Sequence, residues 1–248
     1  MADNLLTMCQ SVSDKLQIES PAAIINSTNE TSRLFRICAK HEVEALLRAP
    51  EKPWKASIRE HTFVTVVGTP DYALPADFKY FVDQTVWDRA NYWEMRGPIS
   101  QAEWQAVKSS ILASTVTSRK RYQLRSDGAA AFPTVKFYIS PTPDVANETL
   151  VFEYNSTATC YNVTTGAPQA TWLQDTDLPI LDQYLIELGI TWRMLSRLGL
   201  PYDEEILEYE TQRDLAIARD GGAKVLSIAK KRGLTLIGAN NVPDTGMG

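Results

Sequence analysis

The chain has 248 residues, 44% of them hydrophobic and 22% charged, with 25 basic side chains against 30 acidic ones for a net charge of −5. That composition excludes a disordered chain, and the length allows one large domain or two small ones with burial of roughly three quarters of the unfolded surface. No apolar run approaches the ~20 residues of a membrane-spanning helix, and Cys9, Cys38 and Cys160 are too few and too scattered for a disulfide scaffold or a zinc site. The first residues carry an acidic side chain, Asp3, and no basic one before the apolar stretch, so no secretory signal and a cytoplasmic origin are expected.

Leu5, Cys9, Val12 and Leu16 recur at helical spacing until Ser20 and Pro21 end the stripe. A second helix is predicted from about Asn29, with Leu34, Cys38, Ala45 and Leu46 on its apolar side and Pro50 as its limit. His41 falls in this helix and His61 in the strand that follows. Neither has a second ligand at metal spacing, so both read as structural or solvent-facing. From Ser57 to Val67 the β-branched content predicts a strand, and the turn-rich 69–78 delivers the chain to a second one over Tyr80 to Trp87. Ser100 and Glu103 form a capping-box pattern ahead of a helix burying Trp104, Val107, Ile111 and Leu112. Phe132–Ser140 and Glu148–Asn155 read as a hairpin around Pro141 and Pro143, and Thr157–Val163 as an added edge strand.

The organising stretch is Thr176 to Gly222. Leu181, Tyr184, Leu185, Leu188, Trp192 and Leu195 make one helical stripe, with Asp177 and Pro179 expected at its start and Gly199 at its stop. After Leu200 and Pro201, Asp203 is expected to cap a second helix in which Ile206, Tyr209, Arg213 and Ile217 share a face. So short a connection makes a helical hairpin. The predicted class is α+β: a bundle built from 1–55 and 176–222, an inserted, mainly antiparallel β domain over 56–175 that holds one helix and a basic loop, and a tail over 223–248.

Charge is unevenly spread. Five basic residues and no acidic one lie between Gln105 and Ser126, four of them being Arg119, Lys120, Arg121 and Arg125 around Tyr122, whereas the hairpin is strongly acidic. A phosphate loop, a nucleophile elbow, zinc-ligand spacing and a dinucleotide fingerprint are all absent from the sequence. Glu204 and Glu205 are adjacent on a helix and point apart, and the Asp175 and Asp177 pair is read as helix entry, so no enzyme and no cofactor are expected. The basic segment keeps a DNA-binding accessory protein open, and a hydrolase with scattered residues is a remoter alternative.

Particular words go further. YALPADFKYFVDQTVWDR, WEMRGPISQAEWQAVKS, a strand ending FEYNS, and DTDLPILDQYLIELGITWRMLSRLGLPYDEEILEYETQRDLAIARDGG resemble, in that order, the head-to-tail adaptor (connector) family of tailed bacteriophages over about residues 30–225. The resemblance implies a virion structural protein in the neck between capsid portal and tail. Such a protein forms a ring beneath the portal, about twelve copies by symmetry match, extends the DNA channel and receives the tail or nozzle protein. It implies a helical ring body, a β domain facing the tail, and a C-terminal tail docked on the portal. Residues 223–248 carry three lysines and Arg232 against one acid and cannot build a core. Lys230, Lys231, Arg232, Leu234, Leu236 and Ile237 are therefore the expected portal contacts. Arg119, Lys120, Arg121 and Arg125 are expected to face the channel, where packaged DNA passes transiently, or a neighbouring subunit. Another neck or tail-completion protein of similar build is the nearest alternative.

Overall fold

The computed structural model describes residues 3–48, 54–109, 120–126 and 134–221. Two helices open the chain, α1 (Leu5–Leu16) and α2 (Glu30–Arg48). Asn4 caps α1 by accepting from the Thr7 N–H at 2.9 Å, and Asn29 accepts from the Thr31 N–H at 2.9 Å at the start of α2. The β region follows as β1 (Ile58–Val64), β2 (Asp71–Ala73), β3 (Phe78–Phe81), β4 (Trp87–Asp88) and β5 (Trp93–Glu94). Next come α3 (Gln101–Lys108), β6 (Arg121–Ser126), β7 (Val135–Ser140) and β8 (Thr149–Ser156). Three short strands, β9 (Cys160–Tyr161), β10 (Pro168–Gln169) and β11 (Leu178–Pro179), lead to α4 (Gln183–Leu198) and α5 (Asp203–Gly221). The predicted α+β class and the antiparallel character of the sheets are observed.

α4 is the hub of the bundle, packing on α1, α2 and α5. Its buried side is Leu185, Ile186, Leu188, Gly189, Ile190, Thr191, Met194 and Leu195, wider than the predicted stripe. Tyr184 is half exposed and Trp192 partly buried, its indole lying against the rings of Tyr202 and Tyr209 at 6.3 and 6.0 Å. We therefore expect Trp192→Ala to cost only about 2 kcal/mol in urea unfolding, against about 3 to 5 kcal/mol for a fully buried tryptophan. A loss above 4 would mean that the indole is closed off from solvent.

Asp182, not Asp177, caps α4, accepting from the Tyr184 N–H at 3.0 Å. Pro179 lies in β11, outside the helix. Asp177 instead holds its own loop, its carboxylate accepting from the Leu173 and Gln174 N–H groups, while Asp175 accepts from Ile24 and Ile25 in the α1–α2 connection. Gly199 closes α4 at φ 71° as expected, and Asp203 is the first residue of α5 rather than its cap.

The β region is a sandwich. In one sheet β8 is central, paired along one edge with β1 from Ile58↔Asn155 to Val64↔Thr149 and along the other with β3 and then β4. The strand expected over 80–87 is thus broken into two short ones. β2, β7 and β6 form the facing sheet. Between them Phe137 stacks on Tyr122 and Phe152 at 5.0 and 5.7 Å, with Phe63, Phe78 and Phe81 around them.

β7 and β8 do not form the predicted hairpin, because 141–148 carries the chain from one sheet to the other so that both can bury phenylalanines in the same core. The basic segment is likewise a strand from Arg121 onward, not a loop, since Tyr122 and Leu124 alternate into the core. β9 is the middle strand of a small third sheet, and Cys160 and Trp172 belong to the bundle's core rather than to the sandwich. At α3, Ser100 accepts from the Glu103 N–H, but the Glu103 carboxylate turns to Arg96 at 3.0 Å, so only half of the capping box forms. Ile111 and Leu112 lie outside the described residues.

Candidate interaction surfaces

Glu42 on α2 is a fully buried carboxylate, with no exposed surface. Arg193 of α4 donates to its carboxylate at 2.7 Å and the Tyr209 hydroxyl of α5 at 2.6 Å, so one side chain ties three helices. It fits because α4 carries Gly189 there, where a Cβ would lie 2.2 Å from the Glu42 Cδ. Burial, reinforced by the adjoining carboxylate, pushes the Tyr209 hydroxyl up, so it stays a donor well into alkaline solution.

A second knot lies in the sandwich. The Lys120 ammonium is held by Asp88 at 2.5 Å and Glu148 at 2.9 Å, and Asn91 bonds both carboxylates. Burial opposes the charged form of Asp88, yet hydrogen bonds from Asn91 and Lys120 outweigh it and hold the carboxyl below its usual range. The same bonds overcome burial at Lys120 and raise its pKa.

The expected channel residues therefore separate. Lys120 is spent on an internal ion pair and has no charge to offer a phosphate. Arg121 is half-buried and borders a depression with Arg96, Glu94 and Tyr122, while the Arg125 guanidinium lies 5.8 Å from the Tyr138 ring centre. Arg119 and the expected portal contacts Lys230, Lys231, Arg232, Leu234, Leu236 and Ile237 lie outside the described residues.

Neither histidine gathers a site. His61 stacks against Phe63 and Phe152, and burial lowers its pKa; His41 is exposed on α2. The three cysteines are buried thiols, and burial pushes Cys160 up to about 11. Among the described residues no group of three or more metal-ligating side chains comes together, and no helix is long and apolar enough to cross a membrane.

The surface feature that sequence reasoning missed is at the end of the sandwich away from the bundle. β1 leaves Trp54, a bundle core residue, and runs seven residues, about 23 Å, to Val64. There the 65–70 and 141–148 segments lie side by side: Gly68 donates to the Pro143 carbonyl, and the buried Thr65 bonds Val145, Asn147 and Glu148. This scaffold leaves Val64, Val66, Val67 and Val145 about half exposed. Beside it, pinned through Asn91 to Glu148, the β4–β5 turn presents Tyr92, 85% exposed with φ 58°. The signal was present: the apolar run Val64, Val66, Val67 continues past the point where alternation stops.

Grouped apolar side chains left in solvent at one end of the sandwich are a surface suited to contact with another protein. The model of the SU10 adaptor protein family matches residues 4–229, bundle and sandwich together, and the chain belongs to that family. It is accordingly an adaptor, a structural component of a bacteriophage. No curated protein matches it.

Proposed function

We propose that the protein is the head-to-tail adaptor that forms a ring beneath the portal, extends the DNA channel and receives the tail or nozzle. The observation that carries this reading is the family match, which spans both bodies of the chain rather than one of them. Twelve copies would satisfy a twelve-fold portal. The bundle forms the ring body, and the distal tip with Val66, Val67, Val145 and Tyr92 faces the tail, since an apolar end held by its own backbone bonds is suited to a protein partner.

The tail over 223–248 docks on the portal through Lys230, Lys231, Arg232, Leu234, Leu236 and Ile237, a basic and apolar segment without enough residues for a core of its own. Arg121 and Arg125 are the described basic residues left to face the lumen or a neighbour; Lys120 is withdrawn from that role by Asp88 and Glu148. A role as a duplex-binding accessory protein loses the same charge.

Deleting Leu226–Gly248 tests the docking role. Chemical unfolding of the truncated protein should match the full chain, and its association with the portal ring of the same phage should vanish. A truncated protein that still joins the portal would assign docking elsewhere.

A further inference from the structure

The two longest helices turn opposite charges outward. α2 buries Phe35, Cys38, Glu42 and Leu46 against the bundle. On its other side, at successive spacings of four, three and eight, it exposes Arg33, Ile37, Lys40 and Arg48. Glu44 lies among them, only 3.9 Å from both Lys40 and Arg48, and the two basic side chains remain 51% and 76% exposed. Arg197 of α4 is exposed beside His41 and adds to the same positive side.

α5 buries Tyr209 and turns outward Glu204, Leu207, Glu208 and Leu215, with Thr211 and Ala218 between the turns. Leu207 is the more exposed of the two leucines at 66%. Both helices have 19 residues and so are about 28 Å long. α4 packs against both, and on α5 Glu208 accepts from the Tyr184 hydroxyl of α4 at 2.9 Å while staying exposed beside Glu204.

We propose that the outer face of α5 in one copy docks on the outer face of α2 in the next, with Leu207 and Leu215 against Ile37 and the acids of α5 against Arg33, Lys40 and Arg48. The occupant is a second copy because the two faces complement each other within one chain. Two α2 faces would place Arg33, Lys40 and Arg48 against their own kind, whereas α5 on α2 brings opposite charges together, so the favoured contact is heterologous. Repeated, such a contact closes a ring or runs on as a filament. The inference rests on the adaptor reading for the presence of a ring, though its residues come from the charge and burial of this chain.

Two charge-reversed chains test it, E204K/E208K on α5 and R33E/K40E on α2, all four sites being exposed and the circular dichroism expected to be unchanged. Assembly is read by sedimentation of the protein alone and by native mass spectrometry on the portal ring. Each variant alone should associate with its own kind at least about a hundred-fold more weakly than the wild type, the cost of facing like charges.

An equimolar mixture should recover assembly with the two chains alternating. The basic α5 of the first meets the acidic α2 of the second, and the acidic α5 of the second meets the basic α2 of the first. Wild-type protein that joins the portal while either variant alone assembles equally well, or while the mixture gains nothing, overturns this interface and leaves the adaptor reading in place. Wild-type protein that neither self-associates nor joins the portal overturns both.

Discussion

Replacing Gly189 by alanine is expected to destabilise the protein by about 3 to 5 kcal/mol, because the new methyl meets a side chain that has nowhere to go. The Glu42 Cδ and Cγ lie 2.2 and 2.4 Å from where the Cβ would stand. A flexible glutamate at a surface would swing aside. Here its two oxygens are fixed by Arg193 and Tyr209, and any displacement leaves a carboxylate buried without partners.

Glu42→Ala should be costly as well, by a similar amount, since it strands the Arg193 guanidinium. The double variant should cost at least about 1 kcal/mol less than the sum of the two, because the methyl then fills space the glutamate has left. Denaturant unfolding of the four proteins gives the answer. Strict additivity, or a loss under about 1 kcal/mol for Gly189→Ala, would show that α2 and α4 are not in contact as described.

The second large effect concerns Lys120. Removing its charge with Lys120→Met, which keeps most of the aliphatic stem, should cost about 3 to 5 kcal/mol, as it leaves the Asp88 and Glu148 carboxylates facing each other with little solvent between them. The pH dependence has a definite sign. Asp88 titrates below its ordinary 3.8 in the folded protein, so its contribution is present above about pH 4 and is lost as the pH falls through the lowered value. Lys120 titrates above its ordinary 10.5, so its contribution is complete below about pH 10 and is lost as the pH rises through the raised value. The gap in stability between wild type and Lys120→Met should therefore be widest near neutrality and narrow at pH 3. A gap that stays constant from pH 7 to pH 3 would mean that Lys120 acts through packing alone.

Lys120 also shows where sequence reading stops. In the run Arg119 to Arg125 it is one of four similar positive charges, and nothing local separates them. What separates them is Asp88, 32 residues away, and Glu148, 28 residues away, two acids that the pairing of β4 with β8 sets side by side. Helices with one apolar stripe and a local cap were legible for a local reason: Leu5, Val12 and Gly199 stand where the period puts them.

The Pro141–Pro143 turn misled because proximity in sequence favours a hairpin, whereas the shared aromatic core of Phe137 and Phe152 places the two strands in facing sheets. Asp177 misled in the same way, since an aspartate before a proline fits a helix entry as well as it fits a loop clamp. Glu42 is the plainest case. In sequence it is one more charge on an amphipathic helix; only Gly189, Arg193 and Tyr209, about 150 residues or more further on, make it the centre of the bundle.

Family and structural class follow from the chain as a whole, and the finer claim is a place in the neck. Native mass spectrometry of the protein mixed with the portal ring encoded by the same phage tests it most directly. A portal-bound species with one copy per portal subunit is expected, even where the protein alone is monomeric. Failure to associate at any concentration or salt would contradict it and move the protein to another level of the neck.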